Sequence, residues 1–243
     1  MKALILAGGL GLRLRPLVMG VPKPMARFAG RPFLEYQLLR LREQEFTEVV
    51  LCTGYLASQI REHFGDGRAL GMKISHSIEE HLLGTGGAIL NARDQVEGSF
   101  LVLNGDSFLE LDFRLLAAFH AAHHRDAGAV ATLVAVSVGE SGACGSLLLD
   151  EDGLVCRFVE KAAAGPGWIN GGAYIFEPEL FECIPAGEAV SLEYAIFPAL
   201  AARNRGLLWG YRFDGFFVDI GTPAGHQRFA LYTQQPGGLD VDP

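Results

Sequence analysis

Short apolar runs, each of strand length and each followed by a segment of helical period, alternate along the first half of the chain and restrict its fold more than any other feature. The first, Lys2-Ala-Leu-Ile-Leu-Ala7, stops at Gly8-Gly9. Continuous apolarity over so few residues marks a strand buried on both faces. A helix is expected from Pro32 to about Gln44, with Leu34, Leu38 and Leu41 on one face and proline suited to the first turn. Strands at Glu48–Thr53, Lys73–Ile78 and Phe100–Leu103 then alternate with helices at Leu56–Phe64 and about Gly87–Arg93. Repeated βα units predict an α/β fold with a mostly parallel sheet flanked by helices, and with ligands at the carboxyl ends of the strands. After Ala129–Val136 the pattern turns to hairpins, with Ser146–Leu149, a turn at Asp150–Gly153 and Val155–Glu160. Helices return at Pro178–Ile184, Leu192–Ala202 and Pro223–Tyr232, followed by a Gly/Pro-rich tail over 234–243 that is expected to fray.

Of the 243 residues 28 are acidic and 20 basic, a net charge of −8 that argues against a nucleic-acid partner. No apolar run approaches the ~20 residues of a membrane span, and Met1-Lys2 with its apolar run reads as a first strand rather than a signal peptide. Cys52, Cys144, Cys156 and Cys183 form no C-x-x-C pair and read as reduced thiols of a cytoplasmic protein. Charge is nevertheless uneven. The first 34 residues hold six basic side chains (Lys2, Arg13, Arg15, Lys23, Arg27, Arg31) and no acid, which suggests a place for an anion.

Within that segment Gly8, Gly9 and Gly11 follow the first strand directly, where backbone N–H groups can approach a phosphate, and Arg13 can hold two of its oxygens in a planar fork. The P-loop pattern is absent, and Leu14 stands where the dinucleotide fingerprint needs its last glycine, so nicotinamide-dependent oxidoreductases and P-loop kinases lose support. Pro22-Lys23-Pro24 sets a lysine between two rigid residues, limiting the entropy lost when its ammonium is aimed. Asp106 closes Leu101-Val-Leu-Asn-Gly-Asp106 and Asp219 closes Phe216-Phe-Val-Asp219, two acids at strand ends that suit Mg²⁺ together with substrate phosphates. His120, His123 and His124 lie at i, i+3 and i+4 of a helix and read as a solvated face, since no carboxylate motif accompanies them. Gly139-Glu-Ser141-Gly-Ala143 lacks the last glycine of a nucleophile elbow, so acyl transfer has no support.

The stretch from Leu6 to Leu17, with Val21-Pro-Lys-Pro-Met25, resembles the signature of the sugar-1-phosphate nucleotidyltransferases, whose fold is a Rossmann-like, GT-A-like sheet with a small antiparallel sugar-binding insertion. The resemblance implies one domain over 1–233, with a nucleotide-binding part over about 1–128, a sugar-binding part over about 129–233, and no carboxyl-terminal β-helix domain. It also implies catalytic roles for Arg13, Lys23 and Asp106, and a metal site of Asp106 and Asp219 for Mg²⁺. By the same likeness Ala7, Gly8, Gly9, Gly11 and Arg13, with the second glycine loop Gly84, Thr85, Gly86 and Gly87, hold the nucleotide. Asn104, Gly145, Glu160, Lys161, Asn170 and Gly171 hold the sugar phosphate, although Cys144 replaces the aromatic residue that many relatives place before that glycine.

Stretches such as Ser77-Ile-Glu-Glu80 with Leu83-Gly-Thr-Gly-Gly-Ala88, and Ile169-Asn-Gly-Gly-Ala-Tyr174, resemble the D-glycero-alpha-D-manno-heptose 1-phosphate guanylyltransferases in particular. The substrates implied are GTP and that sugar phosphate, and the product is a GDP-heptose for capsule or other surface polysaccharide. Mannose-1-phosphate guanylyltransferases and N-acetylmuramate-1-phosphate uridylyltransferases share most of these motifs, and a homodimer stays open. A non-catalytic sugar-nucleotide sensor on the same fold is the alternative from another class; retention of Arg13, Lys23, Asp106 and Asp219 counts against it.

Overall fold

The computed structural model describes residues 1–9, 20–139, 146–159, 165–203 and 205–235. Strand β1 (Ala3–Ala7) lies inside the sheet because side chains alternate across it and both sets are apolar: Leu4 enters one core, Ala3, Ile5 and Ala7 the other. Two short strands, β2 (Arg27–Phe28) and β3 (Arg31–Pro32), lead into helix α1 (Phe33–Glu43). The βα alternation follows as expected, with β4 (Glu48–Thr53), α2 (Ala57–Phe64), β5 (Lys73–Ile78), α3 (Gly84–Asn91) and β6 (Phe100–Asn104). Helix α3 starts three residues earlier than its apolar pattern indicates, so the second glycine loop is itself the first turn of a helix.

The three-residue strand β7 (Ser107–Leu109) precedes α4 (Phe113–Ala127), β8 (Ala131–Val138), β9 (Ser146–Leu149), β10 (Val155–Val159) and β11 (Gly167–Phe176). The chain closes with α5 (Phe197–Ala202), β12 (Leu208–Phe213), β13 (Phe217–Asp219) and α6 (Pro223–Tyr232). Among the described residues nine strands form one mixed sheet in the order β10-β9-β11-β6-β1-β4-β5, with β8 between β11 and β12. Its β6-β1-β4-β5 run is parallel, whereas β11 runs antiparallel to β6, β8 and β9. No helix among the described residues is long and apolar enough to cross a membrane.

The expectation for the histidines fails at His120, which is 1% exposed. Its Nδ1 lies 2.8 Å from Thr132 Oγ1 and its Nε2 3.0 Å from Glu177 Oε1, which also accepts the Ser99 hydroxyl at 2.7 Å. A histidine at helical spacing between alanines looks surface-borne until the strand beneath supplies its partners; here β8 and the end of β11 do. Burial outweighs the Glu177 carboxylate and lowers the His120 pKa below its ordinary 6.5.

Candidate active site at the carboxyl end of the sheet

Strands β1 and β6 pair in parallel, with Leu6 opposite Asn104, so the turns that follow them emerge side by side. The second turn is tied to the first strand by the Gly105 N–H, which donates to Leu6 O at 2.9 Å. A Cβ on Gly105 would stand 2.6 Å from that carbonyl, so only glycine lets the Asp106 turn come this close. Asp219 is brought to the same place by a different device. The two-stranded ribbon of β7 and β13 sets Asp219 opposite Ser107, and Ile220 N–H donates to Asp106 O at 2.9 Å.

An aromatic cluster holds this ribbon against α6 and the entry to α1. Phe229 of α6 meets Phe28 and Phe33 at 4.9 Å each and Phe108 at 5.2 Å between ring centroids. Such pairs contribute about 0.5–1.5 kcal/mol each beyond their burial. The carboxylate of Asp219 accepts Gly221 N–H at 2.6 Å, which fixes its direction. Lys23 opens a single 3-10 turn, Lys23–Met25, whose Pro24 is buried. Its ammonium donates to Asp106 Oδ2 and lies 3.9 Å from Asp219 Oδ1, so one cation faces two carboxylates that are 113 residues apart in the chain.

Lys23 and Asp106 border a cavity of about 500 Å³, within the range of small-molecule sites, and Asp219 stands behind them, outside its lining and against the Lys23 ammonium. The sequence-derived residues Ala7, Gly8, Gly9 and Lys23 line it, as do Gly84, Thr85, Asn104 and Asp106. Gly86 and Gly87 do not; they are buried, and both donate their N–H groups to Val190 O, so they anchor the helix start against a neighbouring loop. Thr85 is fixed there as well, its hydroxyl donating to Glu193 Oε2 at 2.8 Å and accepting Leu192 N–H at 2.8 Å.

Of the sugar-site candidates, Asn170 donates to the Tyr174 hydroxyl at 2.8 Å, and Gly171 packs on β8, where a Cβ would meet Val136 Cγ2 at 2.8 Å. Next to it Gly172 adopts φ +75° against Asn104. Gly11, Arg13, Gly145, Glu160 and Lys161 lie outside the described residues.

Sequence reasoning did not single out Glu79, which lines the same cavity. One carboxylate oxygen accepts Leu83 N–H at 3.0 Å, and the other faces Gly8, where a Cβ would stand 2.5 Å from it. Burial raises its pKa above the ordinary carboxylate range, with the Leu83 N–H bond opposing. The overlooked signal was its position: Glu79 is the first residue beyond β5, at the same sheet end as Gly8 and Asp106.

Two carboxylates converging on one cation supply hard oxygen donors of the kind that suit Mg²⁺. The adjoining Gly8-Gly9 turn lines the same cavity, a place where backbone N–H groups suit an anion. The arrangement can therefore gather a polyphosphate and neutralise its charge.

Comparison with known proteins gives this geometry a lineage. The model of the nucleotidyl transferase family matches residues 2–232. The chain is 40% identical over 223 residues to the mannose-1-phosphate guanylyltransferase of Mycobacterium tuberculosis, covering 91% of this chain and 61% of that protein. It therefore spans about three fifths of that relative's length. It is 36% identical over 229 residues to the D-glycero-alpha-D-manno-heptose 1-phosphate guanylyltransferase of Aneurinibacillus thermoaerophilus, covering 94% of this chain and 96% of that one. The crystal structure of HddC from Yersinia pseudotuberculosis complexed with GMP-PN is similar with a TM-score of 0.81 at 32% identity, covering 96% of this chain and 99% of that one. With a family match over nearly its whole length and a cation-bridged aspartate pair beside the first glycine turn, the chain belongs to the nucleotidyl transferase family.

Proposed function

We propose that the protein transfers GMP from GTP to D-glycero-alpha-D-manno-heptose 1-phosphate, releasing pyrophosphate and forming a GDP-heptose for capsule or other surface polysaccharide. The observation that carries this reading is the Lys23 ammonium set between Asp106 and Asp219 at the mouth of the β1 glycine turn. The relatives named for that reaction, and the neighbour crystallised with GMP-PN, support it. A second reading, mannose 1-phosphate as acceptor, is favoured by the 40% identity to a mannose-1-phosphate guanylyltransferase. Free thiols at Cys52, Cys156 and Cys183 support a cytoplasmic setting.

A phosphate monoester has its second pKa near ~6, so the sugar phosphate is already a dianion at neutral pH and no residue has to remove a proton from it. One of its oxygens bonds to the α-phosphorus of GTP as the bond to the β-phosphate oxygen breaks, and the electron pair leaves with pyrophosphate. Backbone N–H groups of Gly8 and Gly9 cradle the triphosphate, with Gly11 and Arg13 assigned to the same task. Lys23 turns from the aspartates to the phosphates and stabilises the charge that builds up on them. Asp106 and Asp219 are the residues that would hold Mg²⁺, which when bound offsets phosphate charge. Asn104, Asn170 and Gly171, with Gly145, Glu160 and Lys161, orient the sugar phosphate.

Glu79 suits guanine in particular. The edge of guanine that carries N1–H and the N2 amino group presents two adjacent donors, which a carboxylate accepts in a paired fashion, whereas uracil and thymine present a single N3–H flanked by carbonyl oxygens that a carboxylate repels. The test is pyrophosphate release with Mg²⁺ across GTP, ATP, UTP and CTP, each offered manno-heptose 1-phosphate and mannose 1-phosphate. GTP with the heptose phosphate is expected to be fastest. Release with none of the pairs by folded protein would leave the sensor reading in its place.

A further inference from the structure

The Asp106 turn is braced from behind by a residue that is not itself among those lining the cavity. Gln37 on α1 is 3% exposed, and its amide nitrogen donates to Asn104 O at 2.9 Å and to Ser107 O at 2.7 Å. These carbonyls flank Gly105-Asp106, so one side-chain amide spans the turn that aims the carboxylate. The orientation of the amide is unambiguous: reversed, its oxygen would face two carbonyl oxygens. Seven residues further on, at the carboxyl-terminal cap of α1, Gln44 does the same for the segment that follows. It is 6% exposed, donates to Leu111 O at 2.9 Å and accepts Phe113 N–H at 2.6 Å. The pair divides the bracing of residues 104–113 between a glutamine at the site and one remote from it.

We propose that Gln37 is a positioning residue of the reaction, holding the Asp106 carboxylate in the direction in which it engages a divalent cation and the nucleotide phosphates, whereas Gln44 serves the fold alone. The Gly105-Asp106 turn has its own tie to β1 through Leu6 O and to β13 through Ile220 N–H. Loss of Gln37 therefore leaves the turn in place but frees its outer carbonyls, and the carboxylate loses its fixed bearing. The inference rests on the metal reading of Asp106 given above.

Gln44 supplies the control, because Gln37→Met and Gln44→Met each delete one buried amide bonded to the same backbone segment. Both should lower the melting temperature, since each strands buried backbone groups. Mn²⁺ binding to the protein–GTP complex, followed by electron paramagnetic resonance without any turnover, should separate them. Gln37→Met is expected to weaken Mn²⁺ by about tenfold and to lower kcat by a similar factor, with KM for the sugar phosphate within about twofold. Gln44→Met should change neither.

Equal Mn²⁺ affinity in wild type and Gln37→Met overturns the proposal, as does a Gln44→Met variant that matches Gln37→Met. A wild-type complex that binds no Mn²⁺ overturns the metal reading itself, and the proposal with it. Should Gln37→Met not fold, Gln37→Glu, which when protonated by burial keeps one donor, is read in the same way and is expected to fall between wild type and the methionine variant.

Discussion

Replacing Lys23 by methionine is expected to pull two properties of the site in opposite directions. The ammonium sits 3.9 Å from Asp219 Oδ1 and is bonded to Asp106, with the lysine side chain only 14% exposed. At that distance and an effective dielectric near 20, a single charge pair is worth about 4 kcal/mol. Because the carboxylate side chains are 33% and 36% exposed, solvent reduces the usable part to about 1–2 kcal/mol. That is the attraction an incoming divalent cation has to displace, and Lys23→Met removes it.

Mn²⁺ affinity of the nucleotide-free protein should therefore rise by about tenfold, since about 1.4 kcal/mol corresponds to one decade. Turnover should move the other way. With no ammonium to receive the phosphates, kcat should fall by about 10²–10³, the usual loss when one preorganised donor to a developing charge is removed. Mn²⁺ titration by electron paramagnetic resonance and stopped-flow pyrophosphate release read the two quantities separately. A variant that binds Mn²⁺ more weakly than wild type, or that turns over at the wild-type rate, refutes the reasoning.

Glu79→Gln should lower kcat/KM for GTP while leaving use of the other nucleotides unchanged or improved, which a competition assay with mixed triphosphates measures. Because burial raises the Glu79 pKa, its contribution to stability is intact below the ordinary carboxylate range and is lost as pH rises through the raised value. The glutamine variant should therefore melt higher than wild type at neutral pH, and a lower melting point would contradict the burial argument. For His120 the sign is reversed: its lowered folded pKa means that stability is full above the ordinary 6.5 and falls as the unfolded chain takes up the proton. Thermal melts between pH 7.5 and about 5.5 should show this decline, reduced in His120→Gln, and equal slopes would remove the residue from the account. A Cβ at position 225 would lie 1.8 Å from Asp219 O, so Gly225→Ala should destabilise by about 1–3 kcal/mol in a urea melt and impair turnover through the displaced aspartate. A variant as stable and active as wild type would show that α6 does not fix Asp219.

How far this was legible in the chain follows from where each signal resides. Strands β1, β4 and β6 announce themselves because they are short and apolar between glycines or helical segments, β5 follows from the alternation with helices, and the parallel run places Gly8 and Asp106 together by topology alone. The ribbon of β7 and β13 does so only in part, through the apolar run that ends at Asp219. Two three-residue strands carry no period, and their pairing across more than a hundred residues is a tertiary event made by Phe108, Val218 and the rings around Phe229. Asp219 was chosen from its motif, and only this ribbon explains why it meets Lys23. Strand β12 was missed because Gly210 and Arg212 break its pattern, and its place beside β8 is set by the sheet. Gln37 lies within α1, and the Asn104 and Ser107 carbonyls that it bonds meet it only when that distant backbone is folded against the helix; Glu79 lies just beyond β5, and only the fold sets it against Gly8.

We place guanylyl transfer where Lys23, Asp106 and Asp219 meet. Incubation of the protein with GTP labelled at the α-phosphorus, Mg²⁺ and manno-heptose 1-phosphate tests it, with the labelled products resolved by chromatography. Label should pass to a guanosine diphosphate sugar in wild type, and Asp219→Asn should require far more Mg²⁺ to do the same. Label that stays in GTP, or that appears as GMP regardless of the sugar phosphate, would contradict it.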